Sequence, residues 1–184
     1  MNDLSHPGPN LTSLYALFPS AQGVLLPKFE LVTAEEVPSP YRDLLVHDQH
    51  MTVTVEKYHG DAVDVRILAR RHTDDSYARK ILLALHHTGR VVQFGIMKIN
   101  LGYCSRPVRE EIIAGQTPLG RILIQHDVLR RIEPTAFLRL LPDPTMMQWF
   151  GLTEPVRTYG RLAIIHCDEQ PAVELLEIVA PEGV

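Results

Sequence analysis

Apolar and polar residues alternate with a period of two in five stretches of the chain, the pattern of strands that lay one face on a core. In residues 62–70 (AVDVRILAR), Val63, Val65, Ile67 and Ala69 alternate with Asp64, Arg66 and Leu68. Residues 77–85 (YARKILLAL) carry Tyr77, Arg79, Ile81, Leu83 and Leu85 on one face, and His87-Thr88-Gly89-Arg90 leads from them into a strand at residues 91–99 (VVQFGIMKI). Late in the chain, residues 161–167 (RLAIIHC) and 172–180 (AVELLEIVA) flank an Asp168-Glu169-Gln170-Pro171 turn, a second hairpin.

Helical stretches separate these hairpins. Residues 11–18 and 41–47 each suit a short helix, the second with Pro40 at its first turn. Ser105 can cap a helix over residues 107–113 that Gly115 ends, and Thr117 can cap the next, with Pro118 at its first position and Ile122-Leu123-Ile124 following. Residues 143–158, rich in Pro and Gly, read as a long loop with a short helical piece. Residues 48–58 (DQHMTVTVEKY) carry two signals. Their TVTVE alternation favours a strand, whereas an Asp48 cap, an apolar face of Met51, Val55 and Tyr58, and a stop at Gly60 favour a helix. The whole reads as α+β: an antiparallel sheet of about five or six strands with helices on one face, in a single domain over residues 11–184 behind a flexible tail at residues 1–10.

Composition narrows the class. The chain has 184 residues, 45% hydrophobic and 22% charged, the balance of a globular domain large enough to bury a core. A net charge of −4 argues against nucleic acid as a partner, although one or two buried Arg residues suffice to hold a small carboxylate. Apolar runs stay short of a membrane span and no signal peptide opens the chain, so a cytoplasmic protein without a membrane partner is expected. Cys104 and Cys167 are the only cysteines, with no zinc-type spacing around either, so no metal is expected.

Two charges fall among apolar neighbours. Arg79 shares a strand face with Tyr77, Ile81, Leu83 and Leu85; Glu177 shares one with Val173, Leu175 and Val179. A buried charge needs a partner or a ligand, so either these two pair with each other or they hold something. At Thr117-Pro118-Leu119-Gly120-Arg121, a capped helix start presents backbone N–H groups suited to an anion, or is simply an ordinary cap. His47, His50 and His59 match no metal spacing, and no nucleophile elbow or phosphate loop is present.

In order and spacing, Met51-Thr52 with Glu56, Tyr77 to Leu83 (YARKILL), the TPLGR segment running on to Leu123, Gly160-Arg161-Leu162, and Leu176-Glu177-Ile178-Val179-Ala180-Pro181 resemble the chorismate pyruvate-lyase family, including its divergent cyanobacterial, archaeal and mycobacterial branch. The resemblance spans residues 51–181, about seven-tenths of the chain. It implies the chorismate lyase-like fold, with residues 48–58 helical. It also implies a carbon–oxygen lyase that converts chorismate to 4-hydroxybenzoate and pyruvate without a cofactor, in aromatic and quinone biosynthesis. In that family the position of Arg79 binds the ring carboxylate, helped by backbone N–H groups at Met51 and Leu119, and that of Glu177 binds the 4-hydroxyl. The resemblance thus implies Arg79 and Glu177 as catalytic residues, and Met51, Thr52, Arg79, Leu119, Gly120 and Glu177 as substrate-binding residues.

This sequence departs from the enterobacterial branch where Ile96 follows Gly95, because that branch has an Arg there; Lys98, Arg66 or Lys57 are the candidates to replace it. Glu174 is an alternative match to Glu177, which strand parity disfavours. Two other functions share the resemblance: a lyase acting on a related enolpyruvyl substrate or giving another hydroxybenzoate, and a non-catalytic module that senses small carboxylates in transcription regulators. The latter normally travels with a helix-turn-helix domain, for which the first 40 residues offer no match, so the enzyme is expected.

Overall fold

The computed structural model describes residues 9–183. Residues 1–8 of the expected tail lie outside the described residues. Seven strands, β1 (Lys28–Val32), β2 (Val63–His72), β3 (Ser76–Leu85), β4 (Val91–Asn100), β5 (Arg130–Leu141), β6 (Thr158–Cys167) and β7 (Gln170–Val179), form one sheet in the order β1-β5-β6-β7-β4-β3-β2. Every pairing is antiparallel. The α+β class stands as the alternation suggests, with two strands beyond the five read from it.

Both extra strands lack a clean period of two. In β5 the register shifts between Pro134 and Ala136, where the proline has no N–H to give to a ladder. The bulge flips the parity, so Ile132 faces one side of the sheet while Leu138 and Leu140 face the other. β1 is a short edge strand whose residues are nearly all exposed, so burial imposes no alternation on it.

The front face of the sheet carries α2 (Tyr41–Leu45), α3 (Met51–His59), α4 (Arg106–Ala114) and α5 (Leu119–Gln125). They pack on Leu83, Leu85, Met97, Ile99, Ile165, Val173 and Val179. Two short helices lie on the back: α1 (Leu11–Tyr15) and α6 (Pro144–Phe150) cover Leu82, Phe94, Ile96, Leu162 and Ile178. Central β6 is therefore covered on both sides, and its residues are buried almost without interruption. Asp143 caps α6 by accepting the Met146 N–H at 2.8 Å, which explains how a Pro- and Gly-rich segment holds a helix.

The ambiguous segment is helix α3. Burial of Met51, Thr52 and Val55 against the sheet outweighs the strand propensity of its β-branched residues, and Gly60 ends it in the left-handed conformation at φ 65°. Its cap differs from expectation: His50, not Asp48, holds the N-cap position and no side chain closes the turn. Likewise Pro118 rather than Thr117 caps α5, and Thr117 offers its carbonyl elsewhere.

Candidate functional site

On the front face, neighbouring strands set three rows of side chains side by side. Arg79, Met97 and Leu175 form one row, Ile81, Gly95 and Glu177 the next, and Leu83, Gln93 and Val179 the third. Strands about 4.8 Å apart and residues about 3.4 Å apart place the Arg79 and Glu177 Cα atoms about 12 Å from each other, two strands across and one row along. Above these rows the first turns of α3 and α5 close over a pocket of about 490 Å³, its open mouth included. Met51, Thr52, Arg79, Leu119, Gly120 and Glu177 all line it. Glu174 sits on the opposite face of β7, opposite Lys98 and Ile164.

Arg79 is 1% exposed. Its Nη2 donates to the Thr117 carbonyl at 3.3 Å, while Nε and Nη1 are buried with no hydrogen-bond partner. Burial pushes its pKa below the ordinary arginine value, with Tyr77 acting in the opposite sense. A guanidinium remains charged even so, and a buried cation with unused donors is costly unless an anion completes it. The two helices beside it add N–H groups that helix geometry leaves without intrahelical partners.

Glu177 does not pair with Arg79. Its Oε2 accepts from Arg161 Nε at 2.7 Å, and Arg161 is itself 1% exposed. Arg161 also donates to the carbonyls of Leu45 at 3.2 Å, His47 at 2.9 Å and Gln49 at 3.1 Å. One buried guanidinium thus ties β6 and β7 to the α2–α3 connection, and Glu177 is the anion that neutralises it.

Three lining or supporting residues have no place among the sequence-derived candidates. Arg161 and Gln93 carry the same signal as Arg79, a polar residue on an apolar face: Arg161 leads Ala163 and Ile165, and Gln93 leads Met97 and Ile99. His50 has no such signal. Its Nε2 accepts from Arg130 Nε at 2.8 Å, which requires the neutral ring. Burial, then Arg130 and Arg161, lower its pKa to about 4. Gly120 lets this ring lie against α5, since a Cβ there would stand 2.9 Å from His50 Cβ. Arg121, the neighbour of Gly120, pairs with Glu56, which also accepts the Val63 N–H at 3.0 Å and so joins α5 and α3 to β2.

The candidates for replacing the missing arginine lie elsewhere. Lys98 and Lys57 are exposed, and Arg66 donates to the Gly89 carbonyl at 3.1 Å. The Ile96 side chain packs in the back-face core. Among the described residues no group of three or more His, Cys, Asp or Glu is arranged to hold a metal, and no helix is long and apolar enough to cross a membrane.

No family model matches the chain, and no curated protein matches it. Solved structures do. The chain is similar to PhnF from Mycobacterium smegmatis at 14% identity and a TM-score of 0.53, over 74% of this chain and 66% of that one. It is similar to the effector domain of the same protein at 13% identity and a TM-score of 0.57, over 73% of this chain and 90% of the domain. It also matches a ligand-binding domain assigned to the GntR family of transcriptional regulators, from Bordetella bronchiseptica, at 12% identity and a TM-score of 0.49, over 65% and 86% of the two chains. The chain spans just under two thirds of the PhnF chain. At these identities the likeness establishes the fold. It also corrects the expectation of a carbon–oxygen lyase and of a place in quinone biosynthesis, because the neighbours that share this fold are PhnF and its effector domain, not lyases.

Proposed function

We propose that the chain is a sensing module that binds a small carboxylate in the front-face pocket and carries out no chemistry on it. The observation that carries this reading is Arg79, 1% exposed, with Nε and Nη1 buried outside any well-formed hydrogen bond and the Tyr77 hydroxyl as the one group that offsets its burial. A bound carboxylate would take one of these two donors, Nε–H and Nη1–H lying on opposite sides of the guanidinium, in a charge-assisted contact, and the apolar side chains of Ile81, Leu83, Met97 and Leu175 would cover its body. Support comes from the fold shared with the PhnF effector domain. Glu177 fits a structural role in this reading, as the counter-ion of Arg161 rather than an acid or base.

Calorimetric titration with 4-hydroxybenzoate and benzoate tests the reading. The wild-type chain should bind at least one of them, and Arg79→Leu should weaken binding by about 30-fold or more while the chain stays folded. Unchanged affinity in that variant removes Arg79 as the anion contact, and pyruvate release from chorismate would overturn the non-catalytic assignment.

A further inference from the structure

Arg79 supplies one polar end of the pocket; a second polar group faces it that the carboxylate-binding reading leaves unused. Gln93 is 3% exposed, lines the same pocket, and has a buried Oε1 with no hydrogen-bond partner. It stands two rows from Arg79, with Met97 and the bare backbone of Gly95 between them on β4. Its amide leans over that glycine: a Cβ on Gly95 would come within 3.8 Å of Gln93 Nε2, 3.6 Å of Ile81 Cγ1 and 3.3 Å of the Leu176 carbonyl. The missing side chain therefore keeps open the space in which the amide ends. Glu177, in the same row as Gly95, already receives Arg161 on Oε2, which leaves Gln93 as the neutral group free to read a ligand.

Building on the carboxylate-binding reading, we propose that Gln93 recognises a hydrogen-bonding substituent at the far end of the ligand, so that the pocket selects ring-sized carboxylates bearing a distal hydroxyl or amino group. A hydroxyl can accept from the amide Nε2 and donate to Oε1, satisfying a group that is otherwise dry and unpaired. A ligand of the same shape with a methyl group in that place covers the amide and leaves Oε1 without a partner. Leaving a buried polar group unpaired in this way costs roughly tenfold or more in affinity, which is why sites built to bond a hydroxyl reject the analogue lacking it.

The experiment is calorimetric titration of the full chain with 4-hydroxybenzoate and with 4-methylbenzoate, repeated on Gln93→Met. Wild type should favour the hydroxy acid by about tenfold or more, and the variant should bring the two ligands to within about threefold of each other. Equal binding of both acids by wild type overturns the assignment without any variant, as does a preference that survives in Gln93→Met. Binding of neither acid by wild type defeats the carboxylate reading on which the proposal rests, whereas equal binding of both leaves that reading standing and defeats Gln93 alone.

Discussion

Two buried arginines on one sheet face show how the same residue type can serve opposite ends. Arg161 donates to one carboxylate and three carbonyls, so its charge and most of its donors are matched. Arg79 has a single long contact to Thr117 and two unpartnered donors. Their stabilities under substitution should therefore diverge. Arg161→Met leaves Glu177 buried without its counter-ion and should cost about 3–5 kcal/mol. Arg79→Met removes an uncompensated buried cation and should leave the ligand-free protein at least as stable, by about 1–2 kcal/mol if the methionine packs well, while binding is lost. Denaturant unfolding of both variants without ligand checks the pair; equal losses would mean that Arg79 is held as firmly as Arg161. Parity made Arg79 and Glu177 legible as unusual positions, but not their partners. The carbonyls that engage Arg161 lie 112 to 116 residues away in sequence, and nothing local in Gly160-Arg161-Leu162 points to them.

Among the elements, legibility follows regularity. β3, β4, β6 and β7 keep their alternation over most of their paired length, with register shifts only near their ends, between Leu83 and Ala84 and between Ile165 and His166, and the sequence alone assigns most of their residues to faces. It does not do so for β5, because the bulge at Pro134 to Ala136 splits that strand into halves of opposite parity. The two helices over the pocket were legible by position, and α3 also by its stop at Gly60, less so by their caps, since the groups at the helix starts serve the site: the Thr117 carbonyl holds Arg79, and His50 turns its ring toward Arg130. The junction of α3 and α5 depends on Gly120. An alanine there would place its Cβ 2.9 Å from His50 Cβ and 3.0 Å from Cγ, closer than real contacts allow. Gly120→Ala should displace the His50 ring or part the two helices, at a cost of about 1–3 kcal/mol, even though alanine is the better helix former. Thermal unfolding together with the His50 ring NMR shifts would test this. A variant as stable as wild type with an undisturbed ring would show that the helices can part freely, and would remove Gly120 as the spacer of the pocket roof.

Across the whole molecule, a hydrogen bond from Arg130 on β5 to His50, 80 residues away in sequence, joins the front-face roof to the sheet alongside the Arg161 contacts. That bond exists only while the imidazole is neutral, so global stability acquires a dependence on pH. The folded pKa of His50 is about 4, against about 6.5 for an unfolded histidine. Because the folded value is the lower one, the unfolded chain binds the extra proton first as pH falls, and stability is lost on acidification between about 6.5 and 4. Integrated from pH 7 to pH 5, this one group should cost about 2 kcal/mol. His50→Asn keeps a side-chain acceptor for Arg130 but does not titrate, so its stability should fall less over the same interval, by about that amount. Urea unfolding of both proteins at pH 7 and pH 5 gives the comparison, with other titrating groups cancelling between them. Equal losses in the two would mean that His50 takes up its proton without leaving the fold, and that the roof of the pocket is held by Arg121 and Glu56 rather than by the imidazole.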